Sequence, residues 1–255
     1  SWQSYQDFAA NPNVAWTIPI ALGDSHKGFR VMGTTADYFT HFRFGQNRPL
    51  ALARGTPFAQ LYDVVLGSEV AKSLGYELGD KLVLAHGLGS TSFSQHKDKP
   101  FLVVGVLQAT GTPVDQTLHV SLEAIEAIHL GWQNGVNVPG AARVGPSEKD
   151  LTPETITAFM VGLKSKLAIF RLQRAINTYP DEPLQAILPG VTLTQLWQMM
   201  AAMENTLRLI AALVLLASLL GLAAMLLASI KERQGEIAVM RAIGAPPRFI
   251  FALIQ

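Results

Sequence analysis

The feature that most constrains this chain is an apolar segment near its C-terminal end. Residues Leu209 to Ile230 read LIAALVLLASLLGLAAMLLASI, which is 22 residues without a charged side chain. As an α-helix rising about 1.5 Å per residue, this segment would extend roughly 33 Å, enough to cross the hydrocarbon core of a bilayer. A buried helix of a soluble protein rarely stays apolar on every face over such a length. The sequence therefore predicts a transmembrane helix over 209–230.

The basic residues on either side of this segment predict its direction. The last 25 residues of the chain contain four basic residues, whereas the 21 residues of 188–208 contain only Arg208. Lys and Arg near the ends of a membrane helix are enriched on the cytoplasmic side. We therefore expect the C-terminal end to be cytoplasmic and residues 1 to about 206 to be extracytoplasmic.

Composition agrees with a membrane segment and excludes several classes of protein. Only 15% of the residues are charged and 49% are hydrophobic, whereas a typical soluble domain is about 25% charged. The formal net charge is +1, which argues against a nucleic-acid partner because such proteins carry a basic face. With no cysteine, a disulfide framework and a Cys-ligated zinc site are excluded.

The part before the membrane alternates strand-like and helix-like segments, which predicts an α+β extracytoplasmic domain over 1–193. The strand candidates are Trp16–Ala21, Phe29–Gly33, Val64–Gly67, Lys81–His86, Phe101–Leu107, Leu118–Val120, Thr155–Val161 and Leu184–Leu188. The helix candidates are Glu69–Leu74, Leu122–Leu130 and Leu163–Asn177. Ser68 and Ser121 are the predicted N-caps of the first two helices, and Gly75 is the predicted stop of the first. Gly87–Lys99 and Trp132–Asp150 are polar or rich in Gly and Pro, which favours surface loops.

A long helix is predicted to leave this domain and enter the membrane. Gly221 is the only Gly or Pro between Thr194 and Ile230, so we expect one helix of about 37 residues, roughly 55 Å long, with Thr194 as its N-cap. Residues 194–208 would form a stalk, in which Glu204 and Arg208 are spaced for an i,i+4 ion pair. Such a helix would transmit movement outside the membrane rigidly inward.

Three small residues in the membrane segment lie near helical spacing, which favours close approach of another membrane helix. They are Ala217, Gly221 and Ala224. Surrounding lipid and a second membrane helix are the partners that this segment predicts.

The chain after the membrane predicts a short amphipathic helix followed by a turn. It reads KERQGEIAVMRAIGAPPRFIFALIQ, with Ile237, Met240 and Ile243 recurring on one side. Gly244 is placed to end this helix, and the two prolines after it prevent its continuation. A helix lying on lipid would be more basic, so docking of the helix in a groove of a partner is the better interpretation.

These residues carry a resemblance to a known family. The run Lys231–Ala245 resembles the first cytoplasmic loop of FtsX/MacB-type ABC transporter permeases, with E-I at 236–237 and R-A-I-G-A at 241–245, and it departs from that pattern at Gly235. Upstream, LGSEVAKSLG over 66–75 and LGDKL over 78–82 are similar to a helix, glycine and strand unit of the family's extracytoplasmic domain. FLVVGVL over 101–107 and TGTPVD over 110–115 resemble a second stretch of it.

The resemblance implies a four-helix permease of the bacterial inner (cell) membrane, of which this chain would hold the extracytoplasmic domain and the second membrane helix. The domain would have a porter-like part formed by both ends and an inserted β-rich part over about 46–150. Residues 231–247 would be a cytoplasmic coupling helix and turn, and 248–255 the start of the next membrane helix. The implied partners are a cytoplasmic ABC ATPase, a second permease copy or paralogue, and a periplasmic protein. The residues implied to dock on the ATPase are Glu232, Glu236, Ile237, Met240, Arg241, Ile243 and Gly244.

The chain lacks the motifs of an enzyme. It has no G-x-x-x-x-G-K-[ST] and no G-x-S-x-G, so we expect no catalytic, cofactor-binding or metal site, with ATP and Mg²⁺ bound by the partner ATPase. Glu126 and His129 form one E-x-x-H, but metal sites that use this spacing need two copies and further carboxylates.

The expected function is ABC permease activity, in which ATP hydrolysis drives export or extraction of a lipoprotein, peptide or drug. The alternatives are a bitopic receptor or sensor, and a regulator of a cell-wall hydrolase that transports nothing. An apolar continuation after residue 248 favours the permease, whereas a polar signalling helix would favour a receptor.

Overall fold

The computed structural model describes residues 1–86, 99–129, 132–133, 136–137 and 151–254. The chain divides into two compact units, Ser1–Ala186 and Ile187–Gln255. The first unit contains a mixed β-sheet with helices, and the second is entirely helical in the part that the structure describes.

The described helices are α1 (Trp2–Ala9), α2 (Asp37–His41), α3 (Ser68–Leu74), α4 (Leu122–His129), α5 (Ile169–Asn177), α6 (Pro189–Glu232), α7 (Gln234–Ala242) and α8 (Pro247–Ile254). The described strands are β1 (Val14–His26), β2 (Phe29–Thr34), β3 (Arg43–Phe44), β4 (Arg48–Pro49), β5 (Leu52–Gly55), β6 (Asp63–Leu66), β7 (Lys81–Leu82), β8 (Ala85–His86), β9 (Phe101–Leu107), β10 (Thr117–Ser121), β11 (Trp132–Gln133), β12 (Val136–Asn137) and β13 (Ala158–Leu163). Short 3-10 turns at Pro113–Gln116 and Lys166–Ala168 precede β10 and α5.

The main sheet has the strand order β13-β1-β2-β10-β6-β9-β5, with β7 beside β9 and β8 beside β1. The long strand β1 pairs with β13 along its first half and with β2 along its second. Strand β10 is parallel to β2 but antiparallel to β6, so the sheet is mixed. The α+β fold class is confirmed.

Both faces of the sheet centre are buried. All four residues of β6 are buried, and because side chains alternate along a strand, Val64 and Leu66 enter one core cluster while Val65 enters another. The first cluster includes residues of α3 and α4, and the second includes Tyr38 of α2. This double burial explains why β6 is a continuous apolar run rather than an alternating one.

A third cluster joins the two ends of the first unit. Phe8 of α1 and Val14 of β1 pack with Leu172 and Ile176 of α5. Leu184, only two residues before the end of the unit, packs against the same cluster. The first and last segments of the domain therefore share one core, while the domain boundaries over 46–150 stay a prediction.

Several predicted elements have different bounds or conformations in the structure. Leu184–Leu188 is not a strand: it pairs with no described strand, and Leu184 instead packs against the cluster that α5 shares with α1 and β1. Leu163 ends β13, so the helix predicted over Leu163–Asn177 begins only at Ile169. The strand predicted over Thr155–Val161 is shifted to Ala158–Leu163 because it follows the register of β1. Lys81–His86 is divided into β7 and β8, which pair with different strands.

One of the three predicted N-cap residues caps its helix in the structure. Ser121 caps α4 as predicted, since its hydroxyl accepts a bond from the Ala124 amide at 3.1 Å. Ser68 is not a cap: the extended residue Gly67 is the N-cap of α3. Thr194 is not a cap either, because α6 begins at Pro189, a residue suited to the first helical turn. The Thr194 hydroxyl instead donates to the Gly190 carbonyl inside the helix.

One predicted helix end is present in the structure, and the two predicted loops are described only in part. Gly75 ends α3 in the left-handed conformation, as predicted. Helices α1 and α2 were not predicted. The predicted loops Gly87–Lys99 and Trp132–Asp150 lie largely outside the described residues, which include from them Lys99 and the short strands β11 and β12.

Candidate functional site

Helix α6 is the element most unlike a soluble fold. It runs without interruption for 44 residues, from Pro189 to Glu232, and none of its residues is buried. Its most apolar stretch has a mean hydropathy of 2.7 with no part of it covered by protein. A surface this apolar is not stable in water, whereas its length suits a bilayer with additional turns outside it. The described residues thus contain one helix capable of spanning a membrane.

Polar groups along α6 are satisfied within the helix itself. The Ser218 hydroxyl, inside the apolar stretch, donates to the Val214 carbonyl at 2.8 Å. Thr206 makes the same kind of bond to Ala202 at 3.0 Å. Internal hydrogen bonding is the requirement for a polar residue in lipid, where no water is available.

Charged residues lie at the two ends of the apolar stretch. Arg208 contacts Glu204 at 2.6 Å between their side chains, which confirms the predicted i,i+4 pair. Both side chains are mostly exposed, so the pair contributes only about 0.3–0.5 kcal/mol to the helix. Arg208 directly precedes the apolar stretch, and the next charged residue along the chain is Lys231, near the C-terminal end of α6.

The predicted helix-packing residues Ala217, Gly221 and Ala224 all lie exposed on α6. At about 100° per residue they fall within one sector of the helix. A Cβ added at Gly221 would have no atom of this chain within 4 Å. Nothing within the chain therefore requires glycine at this position.

One residue with a non-helical backbone conformation separates α6 from α7. Arg233 has φ −93° and ψ 8°, outside the helical range, although its amide still reaches the Ser229 carbonyl at 3.2 Å. Helix α7 begins at Gln234 and ends at Ala242, so it contains four of the seven predicted docking residues: Glu236, Ile237, Met240 and Arg241. Glu232 is the last residue of α6, and Ile243 and Gly244 follow the last turn of α7.

Gly244 ends α7 with a complete Schellman motif. It has φ +92°, in the left-handed region that favours glycine. The Ala245 amide donates to the Met240 carbonyl at 3.0 Å and the Gly244 amide donates to the Arg241 carbonyl at 3.1 Å, which is the paired bonding pattern of this motif. The predicted helix stop is confirmed, and α8 begins three residues later with Pro247 in its first turn.

The exposure of α7 divides its apolar residues into two groups. Ile237 and Met240 are half-buried. Ile243 is 80% exposed and Val239 is 63% exposed. Helical geometry places Glu236, Val239 and Ile243 along one stripe, with Met240 at its edge and Arg241 on the far side. Val239 was missed in the sequence analysis, which followed the spacing from Ile237 and did not include the i+3 neighbour of Glu236.

The two upstream segments that carry the family resemblance contact each other in the first unit. A Cβ on Gly67, in the LGSE segment, would overlap the carbonyl oxygens of Val114 and Asp115 in the TGTPVD segment. The Asp115 carboxylate accepts bonds from the Thr110 amide and hydroxyl, each at 2.8 Å, and from the Gly111 amide at 2.7 Å. Although burial raises the pKa of Asp115, these bonds and one from Ser68 lower it below its usual value.

The histidines do not form a metal site in the described part of the chain, where no cluster of three or more His, Cys, Asp or Glu side chains occurs. His129 lies 3.6 Å from Asp24, so it pairs with a carboxylate outside its E-x-x-H motif. His119 is fully buried, and its Nδ1 lies 3.3 Å from the Val65 carbonyl. Burial lowers the pKa of His119 to about 4, so this imidazole is neutral at physiological pH.

Segments in both units match known protein families. Residues 1–179 match the family described as MacB-like periplasmic core domain, and residues 208–254 match the family described as FtsX-like permease C-terminal. No curated protein sequence matches the chain.

Among solved structures, the chain is similar to three domains of low sequence identity. The periplasmic region of MacB from Actinobacillus actinomycetemcomitans is 14% identical, with a TM-score of 0.47, over 78% of this chain and 82% of that one. The extracellular domain of the noncanonic ABC-type transporter YknZ from Gram-positive bacteria is 12% identical, with a TM-score of 0.44, over 73% and 88%. A domain of a putative permease protein from Porphyromonas gingivalis is 10% identical, with a TM-score of 0.36, over 65% and 62%.

Proposed function

The chain belongs to the FtsX/MacB-type family of ABC transporter permeases, and from that premise we propose that it couples ATP hydrolysis by a cytoplasmic partner ATPase to movement of its extracytoplasmic domain. The proposed result is export or extraction of a lipoprotein, peptide or drug. ATP and Mg²⁺ bind the partner in this proposal, and the chain itself contributes no catalytic residue. The single observation that carries it is the uninterrupted helix α6, followed by the exposed helix α7.

The proposed orientation places the first unit outside the cytoplasm and α7 inside. It rests on the basic residues after Ile230, since Lys231, Arg233 and Arg241 all follow the apolar stretch closely. The family already places the protein in the inner membrane. A protease added to intact spheroplasts should therefore cleave the first unit and spare α7.

Helix α6 is proposed to act as a rigid rod between the two compartments. Its backbone hydrogen bonds continue through 44 residues, about 66 Å at the usual helical rise. A Gly-Pro insertion after Ala202 breaks this ladder on the extracytoplasmic side of the apolar stretch. We expect loss of transport with ATPase binding retained.

An Ala-Ala insertion at the same site is the matched control, because it adds the same length and keeps the helix. It should retain more activity than the Gly-Pro variant. Full transport by the Gly-Pro variant would mean that α6 does not transmit the movement.

Helix α7 is the proposed docking element for the ATPase, through Glu232, Glu236, Ile237, Met240, Arg241, Ile243 and Gly244. The exposed stripe sharpens this proposal, because a helix laid in a groove buries one face. Val239→Asp and Met240→Asp, on or beside the stripe, should uncouple ATP hydrolysis from transport. Arg241→Glu should also weaken coupling, because Arg241 is among the proposed docking residues, but less than the two aspartate variants, because it lies on the other side of α7 from the stripe. If Arg241→Glu is the more damaging, the groove contacts the opposite face.

The partner can be identified by cross-linking, because the chain has no cysteine. A single Glu236→Cys substitution in the full-length protein, labelled with a photo-crosslinker in membranes, should yield an adduct with an ABC-type ATPase by mass spectrometry. Gln198→Cys, exposed on the extracytoplasmic part of α6, is the control and should give no such adduct. Adducts with lipid alone from position 236 would exclude docking there.

A second permease copy or a paralogue is the proposed neighbour of α6 in the membrane. The sector that contains Ala217, Gly221 and Ala224 supports close helix approach. Gly221→Leu should reduce energy transfer between labelled copies in nanodiscs. Leu219→Phe, on the opposite side of α6, should leave the transfer unchanged, and equal effects of the two would exclude this packing face.

The receptor alternative is less favoured by the structure of the last segment. Helix α8 begins at Pro247, directly after the turn, and both Phe249 and Phe251 are more than half exposed. An apolar helix here suits return to the membrane rather than a soluble output domain. A cell-wall hydrolase regulator would use the same α6 and α7 and would differ in having no transported molecule.

A further inference from the structure

The first unit carries an exposed apolar pair that its own core leaves uncovered. Leu167, in the 3-10 turn before α5, is 94% exposed, and Phe170, in the first turn of α5, is 74% exposed. Other large hydrophobic residues exposed in the described part of this unit, such as Leu22 at 46% and Leu78 at 43%, are partly covered. Two apolar side chains that are exposed to this extent and lie three residues apart are unusual for a protein surface in water.

The fold of α5 explains why this pair projects outward. Leu172 and Ile176 of the same helix are buried in the cluster shared with α1 and β1. At 100° per residue, Phe170 lies about 160° around the helix from Leu172 and about 120° from Ile176, so it points away from this core. Within the described residues, the pair is therefore left largely uncovered.

The segment of the chain that contains the pair is basic. Between Glu154 and Asp181 the sequence has four basic residues and no acidic one. They are Lys164, Lys166, Arg171 and Arg174. Lys164 donates to the Pro12 carbonyl at 2.8 Å, and within the described residues Lys166, Arg171 and Arg174 have no carboxylate partner at ion-pair distance. Phe170 and Arg174 are i,i+4 neighbours on one side of α5.

We propose that Leu167, Phe170 and the surrounding cations form a peripheral contact with the anionic lipid surface of the membrane that α6 spans. Aromatic and aliphatic side chains insert at the headgroup level while Lys and Arg pair with lipid phosphates, which is the usual composition of interfacial contacts. Symmetric pairing of this surface with a second copy is disfavoured, because it would oppose the same cations. The proposal concerns lipid only and does not depend on the partner ATPase.

A fluorescent probe tests the contact in the full-length protein. Phe170→Cys labelled with NBD, in nanodiscs of phosphatidylglycerol with doxyl-labelled lipid, should show blue-shifted and quenched emission. Leu78→Cys is the matched control, because Leu78 is exposed in the same unit and has the acidic residues Glu77 and Asp80 beside it in the sequence. Equal emission and quenching at both positions would overturn the proposal.

A charge variant separates lipid from protein contacts. Lys166→Gln with Arg171→Gln and Arg174→Gln leaves the buried residues of α5 intact, so circular dichroism should be unchanged. The population of the quenched state should fall about fivefold for each cation removed at low salt, and phosphatidylcholine nanodiscs should give the same loss in the unmodified chain. Quenching independent of charge and lipid type, or disulfide formation between Phe170→Cys copies, would overturn lipid contact in favour of a protein neighbour.

Discussion

The two units of this protein treat apolar side chains in opposite ways. In the first unit, Phe101, Ile18 and Leu118 have no exposed surface. In α6, most leucine side chains are more than half exposed, and none of the 44 residues is buried. The difference shows that hydrophobicity alone does not define a core: one region buries its apolar surface against itself, and the other requires lipid or a second protein. The following predictions test this contrast in order of decreasing effect.

The largest effect is expected from removing a core aromatic residue. Phe101→Ala should lower the free energy of unfolding of the first unit by about 3–5 kcal/mol, because it leaves a cavity in a packed interior. Leu219→Ala in α6 removes a similar apolar group but should change that free energy by less than about 0.5 kcal/mol. Denaturant titrations of the detergent-solubilised chain, followed by tryptophan fluorescence, provide the measurement. Similar losses in the two variants would show that α6 is part of the folding core.

A charge in α6 should disrupt insertion rather than folding. Leu219→Arg, near the middle of the apolar stretch, should disfavour membrane insertion by about 3 kcal/mol. The first unit should keep its unfolding midpoint in detergent. Alkaline extraction of membranes measures the inserted fraction, with Leu219→Ala as the control. An extraction-resistant Leu219→Arg protein would mean that this stretch does not face lipid.

The buried histidine of the first unit should make its stability sensitive to acid. The pKa of His119 is lowered to about 4 by burial, whereas in the unfolded chain it is about 6.5. As pH falls below 6.5, the unfolded state takes up a proton that the folded state does not, so stability decreases until about pH 4. Between pH 7.5 and pH 5 the loss is about 2 kcal/mol.

His119→Phe should remove this acid sensitivity, because the ring lies among Tyr38 and Phe39 and loses only one bond, to Val65. Unfolding free energies at the two pH values give the comparison. An unchanged pH dependence in the variant would assign the effect to another group.

The smallest effect concerns the turn that joins the two motifs of the first unit. Asp115→Asn keeps the shape of the side chain but loses charge-assisted bonds from Thr110 and Gly111. We expect a loss of about 1 kcal/mol at neutral pH. Because the pKa of Asp115 is lowered on folding, its contribution is present above the usual carboxyl pKa and is lost in acid. The variant and the native chain should therefore converge in stability below pH 4, and parallel curves would contradict this.

Elements with a strong local signal were predictable from sequence. The apolar run of α6 and the glycine stops at Gly75 and Gly244 depend on residues within one or two turns. Boundaries that depend on distant partners were not. Leu184–Leu188 has a strand-like composition, yet no strand pairs with it, and the start of β13 is set by its register with β1.

The docking surface for the ATPase stays a prediction. The spacing of Ile237, Met240 and Ile243 indicated the correct short helix, but the stripe of exposed side chains also includes Val239. Spacing gives the relative positions of residues around a helix, but it does not say which side other segments of the chain leave exposed.

The sequence by itself determined the membrane helix, the short helix after it, the α+β class and the family, because each rests on local composition, periodicity or contiguous motifs. Only the tertiary structure decided that Gly67 lies against Asp115, that His119 is buried without a charge, and that Leu167 and Phe170 remain exposed. These features arise from contacts between segments distant in the chain, and the free energy of such contacts depends on packing geometry that no local pattern specifies.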